Sequence, residues 1–140
     1  AIFINCVFTN NSAEYGGAIV LSYGASLYNC TVTGNTSSGT LSAAVISEGG
    51  VVVNSIIYDN INLTGATNYK SNGSSTPTFT NCALENSNVL VGTNNNIGLT
   101  SSPFKGGSGS DSLTLTDNST CINAGTTTGI TILPNDVVNN

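Results

Sequence analysis

The stretch INCVFTNN, residues 4–11, returns as YNCTVTGN at 28–35, as VNSIIYDN at 53–60 and in part as TNCALENS at 80–87. Aligned on the Asn before the small residue, the anchors are Asn5, Asn29, Asn54 and Asn81, spaced by 24, 25 and 27 residues. The next position reads Cys6, Cys30, Ser55, Cys82, and two residues further stand Phe8, Val32, Ile57 and Leu84. Asn11, Asn35 and Asn60 close the first three units, whereas Ser87 breaks the pattern in the fourth. Two positions before each anchor come Phe3, Leu27, Val52 and Phe79. A period in this range marks a solenoid or a propeller. A propeller blade needs about 40 residues and four strands, so the period selects the solenoid.

Within each unit the apolar residues alternate, as in Cys6/Phe8 and Cys30/Val32, which is the periodicity of a strand. No sustained helical pattern interrupts it. The step from Phe3 to Cys6 is odd, so the alternation breaks at Asn5. A corner there turns both flanking strands inward, and Asn tolerates the left-handed backbone that corners require. The expected fold is all-β, a right-handed parallel β-helix of about five to six coils. Cys6, Cys30, Ser55 and Cys82 are expected to point inward in one column. Asn5, Asn29, Asn54 and Asn81 are expected to form a corner ladder joined by axial amide bonds.

The coils are expected to cover 1–125, with 126–140 continuing or extending the solenoid. GGAIVLSYG at 16–24 aligns with SAAVISEGG at 42–50 as the opposite strand of each coil. The polar stretch 61–76 reads as a loop or a poorly packed strand, and 101–112 as a Gly/Ser-rich loop. LTLTDNSTCINAG at 113–125 reads as one more alternating strand and a turn. Phe3 is already in register with Leu27, so an uncapped first coil is expected, stacked on a preceding segment or on another chain. In the second case the contact runs head to tail into a filament.

Composition narrows the function classes. Charged residues make up 6% of the chain, against roughly 25% in ordinary soluble domains. Lys70 and Lys105 are the basic residues, there is no His, and the net charge is −5. Nucleic-acid binding needs clustered Lys and Arg, so the charge argues against it, as it does against docking to anionic membranes. No stretch approaches the roughly 18 apolar residues of a membrane span, so this segment is not expected to insert into a bilayer.

The candidate sites are few. Asp59 and Glu85 lie one unit apart at near-equivalent positions and form the one candidate catalytic dyad, with Tyr58 as a sugar-stacking neighbour. A pair of solvated surface carboxylates is the plainer reading. Asp111 and Asp117 are weak calcium candidates around the Gly/Ser loop, at a spacing that matches no EF-hand. The cysteines lack CxxC pairing or His partners, so small buried thiols filling a narrow core are expected rather than a metal site. The Thr31/Thr33, Thr78/Thr80 and Thr114/Thr116 pairs raise ice binding, but Thr is also a good strand residue. No cofactor is implied, and the chain is expected not to be an enzyme.

FTNN (8–11) followed by GGAI (16–19) resembles the FxxN and GGAI motifs of the polymorphic outer-membrane protein repeat. NSIIYDN (54–60), with SPF (102–104) and LTLTDNSTCINAG (113–125), resembles the last coils of bacterial right-handed parallel β-helix surface proteins. Two departures stand out: Ser102 replaces the Asp of the family's DPLF phrase, and the third coil lacks GGAI. The resemblance implies a secreted or bacterial cell-surface, extracellular protein acting as a structural and adhesive rod. Its partners would be a host-cell or surface glycan or protein ligand. The rival reading is a polysaccharide-binding or polysaccharide-degrading β-helix of glycosidase or lyase type.

Overall fold

The computed structural model describes residues 1–40, 45–65, 69–71, 78–86, 90–106 and 110–126. The first coil holds β1 (Ile2–Ile4), β2 (Val7–Thr9), β3 (Ser12–Ala13) and β4 (Ile19–Leu21). The second holds β5 (Ser26–Tyr28), β6 (Thr31–Thr33), β7 (Thr36–Ser37) and β8 (Val45–Ser47). The third holds β9 (Val51–Val53), β10 (Ile56–Tyr58), β11 (Ile61–Asn62) and β12 (Tyr69–Ser71). β13 (Thr78–Thr80) and β14 (Ala83–Glu85) open the fourth, and β15 (Ile97–Leu99) stacks beyond it.

Strands at the same place in successive coils pair in parallel. The ladders run β1-β5-β9-β13, β2-β6-β10-β14-β15, β3-β7-β11 and β4-β8-β12. Phe3 stands over Leu27, and Leu27 over Val52, while Phe8, Val32, Ile57 and Leu84 form the neighbouring column. The chain is a parallel β-helix, with five strands in its longest ladder.

The corners follow from backbone sterics. Asn5, Asn29, Asn54 and Asn81 have φ of 54°, 53°, 52° and 52°. A second corner, between β2 and β3 and its equivalents, uses Asn10, Gly34 and Asp59 at φ of 57°, 64° and 56°. Residues with a short polar side chain, or with none, enter this left-handed region at least cost. A branched apolar residue there costs about 1–2 kcal/mol. Asn29→Leu is therefore expected to lose about that much in urea unfolding, and Asn29→Gly to stay near the parent. Equal loss in both variants would assign the effect to the amide instead of the backbone.

The core is a single file of apolar columns. Leu27, Val32, Val52, Ile57 and Leu84 are completely buried, and Phe79 and Cys30 nearly so. Leu21, Val45 and Tyr69 complete it from the β4-β8-β12 ladder.

Three later stretches bear on the sequence reading. In the third coil, where 61–76 reads as a loop or a poorly packed strand, Ile61–Asn62 pairs as β11 with β7 and Tyr69–Ser71 as β12 with β8, while 66–68 and 72–77 lie outside the described residues. Tyr69 packs its ring 4.5 Å from that of Phe79, which compensates for the polar sequence around it. Second, the step from Asn81 to the next equivalent corner, Asn95, takes a shortcut, because Ala83 pairs directly with Ile97. Leu90 and Val91 turn in against the core instead of forming a full coil. Gly98 takes Leu84's column, where a Cβ would meet Asn86 and come within 3.0 Å of Val91 Cγ1. Third, residues 113–125 supply no further solenoid strand. A 3-10 turn at Ser110–Leu113 precedes one antiparallel bridge between Phe104 and Leu115. Residues 127–140, in the expected extension, lie outside the described residues.

Candidate functional site

Every corner interrupts the regular ladder and leaves backbone groups facing the core. The residue just after each corner supplies what is missing. Cys6 Sγ donates to the Ile4 carbonyl at 3.3 Å, Cys30 Sγ to Tyr28 at 3.2 Å, and Cys82 Sγ to Thr80 at 3.4 Å. Ser55 does the same with its hydroxyl, at 2.9 Å to Val53 O, and also accepts the Cys30 N–H at 3.1 Å. Asn96 occupies the equivalent place beside Cys82, accepting the Cys82 N–H at 2.9 Å and donating to Phe79 O at 3.0 Å. The Cys/Ser/Asn column is thus a column of donors.

At the second corner the amides themselves are linked. Asn11 Nδ2 donates to Asn35 Oδ1 at 2.9 Å, and Asn35 Nδ2 to Asn60 Oδ1 at 2.8 Å. Asn35 Nδ2 also reaches the carbonyls of Phe8 and Thr33, and Asn60 Nδ2 those of Val32 and Tyr58. Asn35 is completely buried and Asn60 nearly so. The amide-to-amide bonds expected on Asn5–Asn29–Asn54–Asn81 thus run through Asn11, Asn35 and Asn60. Those first-corner residues are held by backbone bonds from their N–H to Tyr28, Val53, Thr80 and Asn94. Asn54 turns its amide outward, where it donates to Thr126 O at 2.7 Å and accepts Thr126 N–H at 2.9 Å. The reason is geometric: the residue after the left-handed position points inward, while the corner residue itself faces the flank.

Cys30 and Cys82 pack as free thiols in the core, with Cys6 partly buried against it and Cys121 half-buried outside it. Burial pushes the Cys82 thiol from its ordinary 9.0 up to about 12, against the pull of bonds to the Ser55 and Thr80 backbone. Burial raises Cys30 and Cys121 as well. An unfolded chain therefore releases these protons first. For Cys82, stability is full below pH 9 and is lost between 9 and about 12, at roughly 1.4 kcal/mol per pH unit. Cys82→Ser is expected to keep the donor, cost about 1 kcal/mol at pH 7, and remove this residue's share of the alkaline loss. Urea midpoints from pH 7 to 11 check it.

The candidate carboxylates are engaged separately. Glu85 Oε1 accepts the Asp59 N–H at 3.3 Å, while Asp59 itself takes the left-handed corner and is exposed. The hydroxyl pKa of Tyr58 is raised by burial and by the charges of Glu85 and Asp59. Asp117 pairs with Lys105 at 3.2 Å, both exposed. The side chain of Asp111 lies outside the described residues. Among the described residues no three His, Cys, Asp or Glu side chains gather at one point. The Thr pairs do not stack into one array: Thr31/Thr33 are on β6 and Thr78/Thr80 on β13, in different ladders.

Two small cavities lie near the C-terminal side. One, of about 90 Å³, sits between Asn54, Asn81, Asn95, Cys121 and Gly125; the other, of about 150 Å³, lies between Gly98, Pro103, Thr116 and Asn118. Both are below the roughly 300 Å³ of the smaller ligand pockets. The exposed apolar side chains include Tyr15, Tyr23, Ile61 and Leu63, around β3, β4 and β11. Asn96 and the short last step escaped the repeat reading because the spacing drops from 27 to 14; the run Asn94-Asn95-Asn96 is the signal, with Asn standing where Cys stood. No protein family, curated protein or solved structure matches the chain.

Proposed function

We propose that the chain is a non-enzymatic structural segment of a secreted or bacterial cell-surface protein, a stiff rod that presents side chains to a glycan or protein ligand. The supporting observation is where the repeated polar residues are used. Cys30, Ser55, Cys82 and Asn96, and likewise Asn11, Asn35 and Asn60, bond the backbone or amides of adjoining coils. Their chemistry locks register. The FTNN and GGAI phrases support the surface setting. Fold alone assigns no ligand; the contact surface is the exposed set around Tyr15 and Leu63, where a tyrosine ring offers an apolar face beside polar neighbours.

The test is a glycan array and binding to host cells, run beside a reducing-sugar assay on the same polysaccharides. Ligand capture without new reducing ends is expected, with capture reduced by Tyr15→Ala at least about threefold, the loss of roughly 0.7 kcal/mol for one exposed aromatic contact. Release of reducing ends that disappears in Asp59→Asn would overturn the proposal in favour of a glycosidase.

A further inference from the structure

Asn54 does more than turn a corner. Its side-chain amide meets one residue twice: Nδ2 donates to Thr126 O at 2.7 Å, and Oδ1 accepts Thr126 N–H at 2.9 Å. Both partners are main-chain atoms, so the amide reads a peptide backbone as a neighbouring strand would, and not a residue type. Its own backbone fixes it in advance, through a φ of 52° and an N–H bonded to Thr80 O at 3.1 Å. One residue earlier the reading becomes selective. A Cβ on Gly125 would lie 3.2–3.4 Å from Cγ, Oδ1 and Nδ2 of Asn54, so the chain lies close on the amide only where it has no side chain. One residue earlier again there is unused room. Ala124 lines the cavity of about 90 Å³ that it shares with Cys121 and with Ile56, Ala83 and Ile97 of the β10-β14-β15 ladder. The segment leading there carries its own turns, with Ser119 N–H on Thr116 O, Ile122 N–H on Ser119 O and Ala124 N–H on Cys121 O.

We infer that this flank of the rod is a peptide seat whose occupant is an extended segment of a partner protein, with a large apolar residue before a glycine, and that Ala124-Gly125-Thr126 holds the seat in cis as an internal substitute. Asn54 supplies the backbone clamp and Gly125 shows the residue type that must cross it. The cavity supplies the preference. Leucine in Ala124's place adds three carbons against Ile56, Ala83 and Ile97, and each carbon buried strengthens binding about fourfold. A partner peptide carrying that leucine therefore competes with the chain's own alanine. A second copy of the chain offers only the same alanine, so exchange of this segment between copies gains nothing. The seat lies between β9 and β10, whereas Tyr15 and Leu63 follow β3 and β11, so it stands or falls apart from the ligand surface proposed above.

The probe is the fluorescein-labelled peptide Ile-Asn-Leu-Gly-Thr-Thr, amidated at its C-terminus and titrated against the full chain by anisotropy. Saturable binding is expected, about tenfold tighter than for the same peptide with alanine in place of leucine. Binding should also speed alkylation of Cys121, mapped by mass spectrometry, because the displaced segment uncovers that thiol. Asn54→Gly, which keeps the corner and removes the clamp, should abolish capture, and Tyr15→Ala should leave it unchanged. Ala124→Leu fills the cavity from within the chain. It should raise the melting midpoint by about 2–5 °C and weaken peptide capture about tenfold. No binding, binding indifferent to leucine or alanine, or binding that survives Asn54→Gly overturns the inference. So does capture unchanged in Ala124→Leu. A concentration-dependent dimer that the leucine peptide fails to dissociate overturns it in favour of a second copy.

Discussion

Asn35→Leu is expected to destabilise the fold by about 3–5 kcal/mol, although the two side chains have similar volume. The substitution removes the acceptor for Asn11 N–H and Nδ2, and the donor to Phe8 O, Thr33 O and Asn60 Oδ1. Asn35 has no solvent exposure, so the inward partners of the lost amide regain no water. Each buried polar group left without a partner costs about 1–3 kcal/mol, and the apolar gain of leucine offsets part of the sum. In a chain of this size that is a fall of roughly 10–15 °C in melting midpoint. Asn35→Asp separates the causes: it keeps an acceptor toward Asn11 and loses the donors, so it should also fall steeply at pH 7. A leucine variant that melts with the parent would mean that the amide chain carries no net stability.

Phe79→Ala is expected to cost a comparable 3–5 kcal/mol, the usual loss for deleting a buried ring. Phe79 is 1% exposed, ends the column Phe3–Leu27–Val52–Phe79, and packs against Tyr69. It also lies at the junction between the third coil and the shortened turn, since its carbonyl receives Asn96 Nδ2. Loss of the ring should therefore loosen β12 and the segment around Leu90 before β1–β8. Hydrogen exchange is the discriminating measurement. Uniformly faster exchange across all coils would mean that the rod melts as one unit with no weak end.

Much of this architecture is written in the local chemistry of the repeat. A corner every 24 to 27 residues, an Asn able to hold positive φ, and alternating apolar residues on either side are properties of short stretches. They determine strand, corner and inward column together, so Cys6, Cys30, Ser55 and Cys82 could be placed from sequence. The pairing of Ile19 with Val45 was legible in the alignment of GGAIVLSYG with SAAVISEGG, and Gly16, at φ of 57°, leaves room that a Cβ 2.7 Å from Val20 would not.

What remained hidden depends on contacts between distant residues. Two Asn columns share one spacing, and nothing local says which bonds amide to amide; the answer is set by which of them faces inward once the coils stack. Ile61–Asn62 and Tyr69–Ser71 form β11 and β12 because the neighbouring coil offers a paired edge, and Tyr69 finds Phe79 there. Asp59 and Glu85 do come into reach, but through a backbone N–H. The fold at Thr126 against Asn54, 72 residues apart, has no local signature at all. Strand and corner are chosen by steric preferences of a few consecutive residues, so the sequence alone determined the solenoid. Which polar groups satisfy one another is chosen by desolvation after the coils close, and that only the tertiary structure decided.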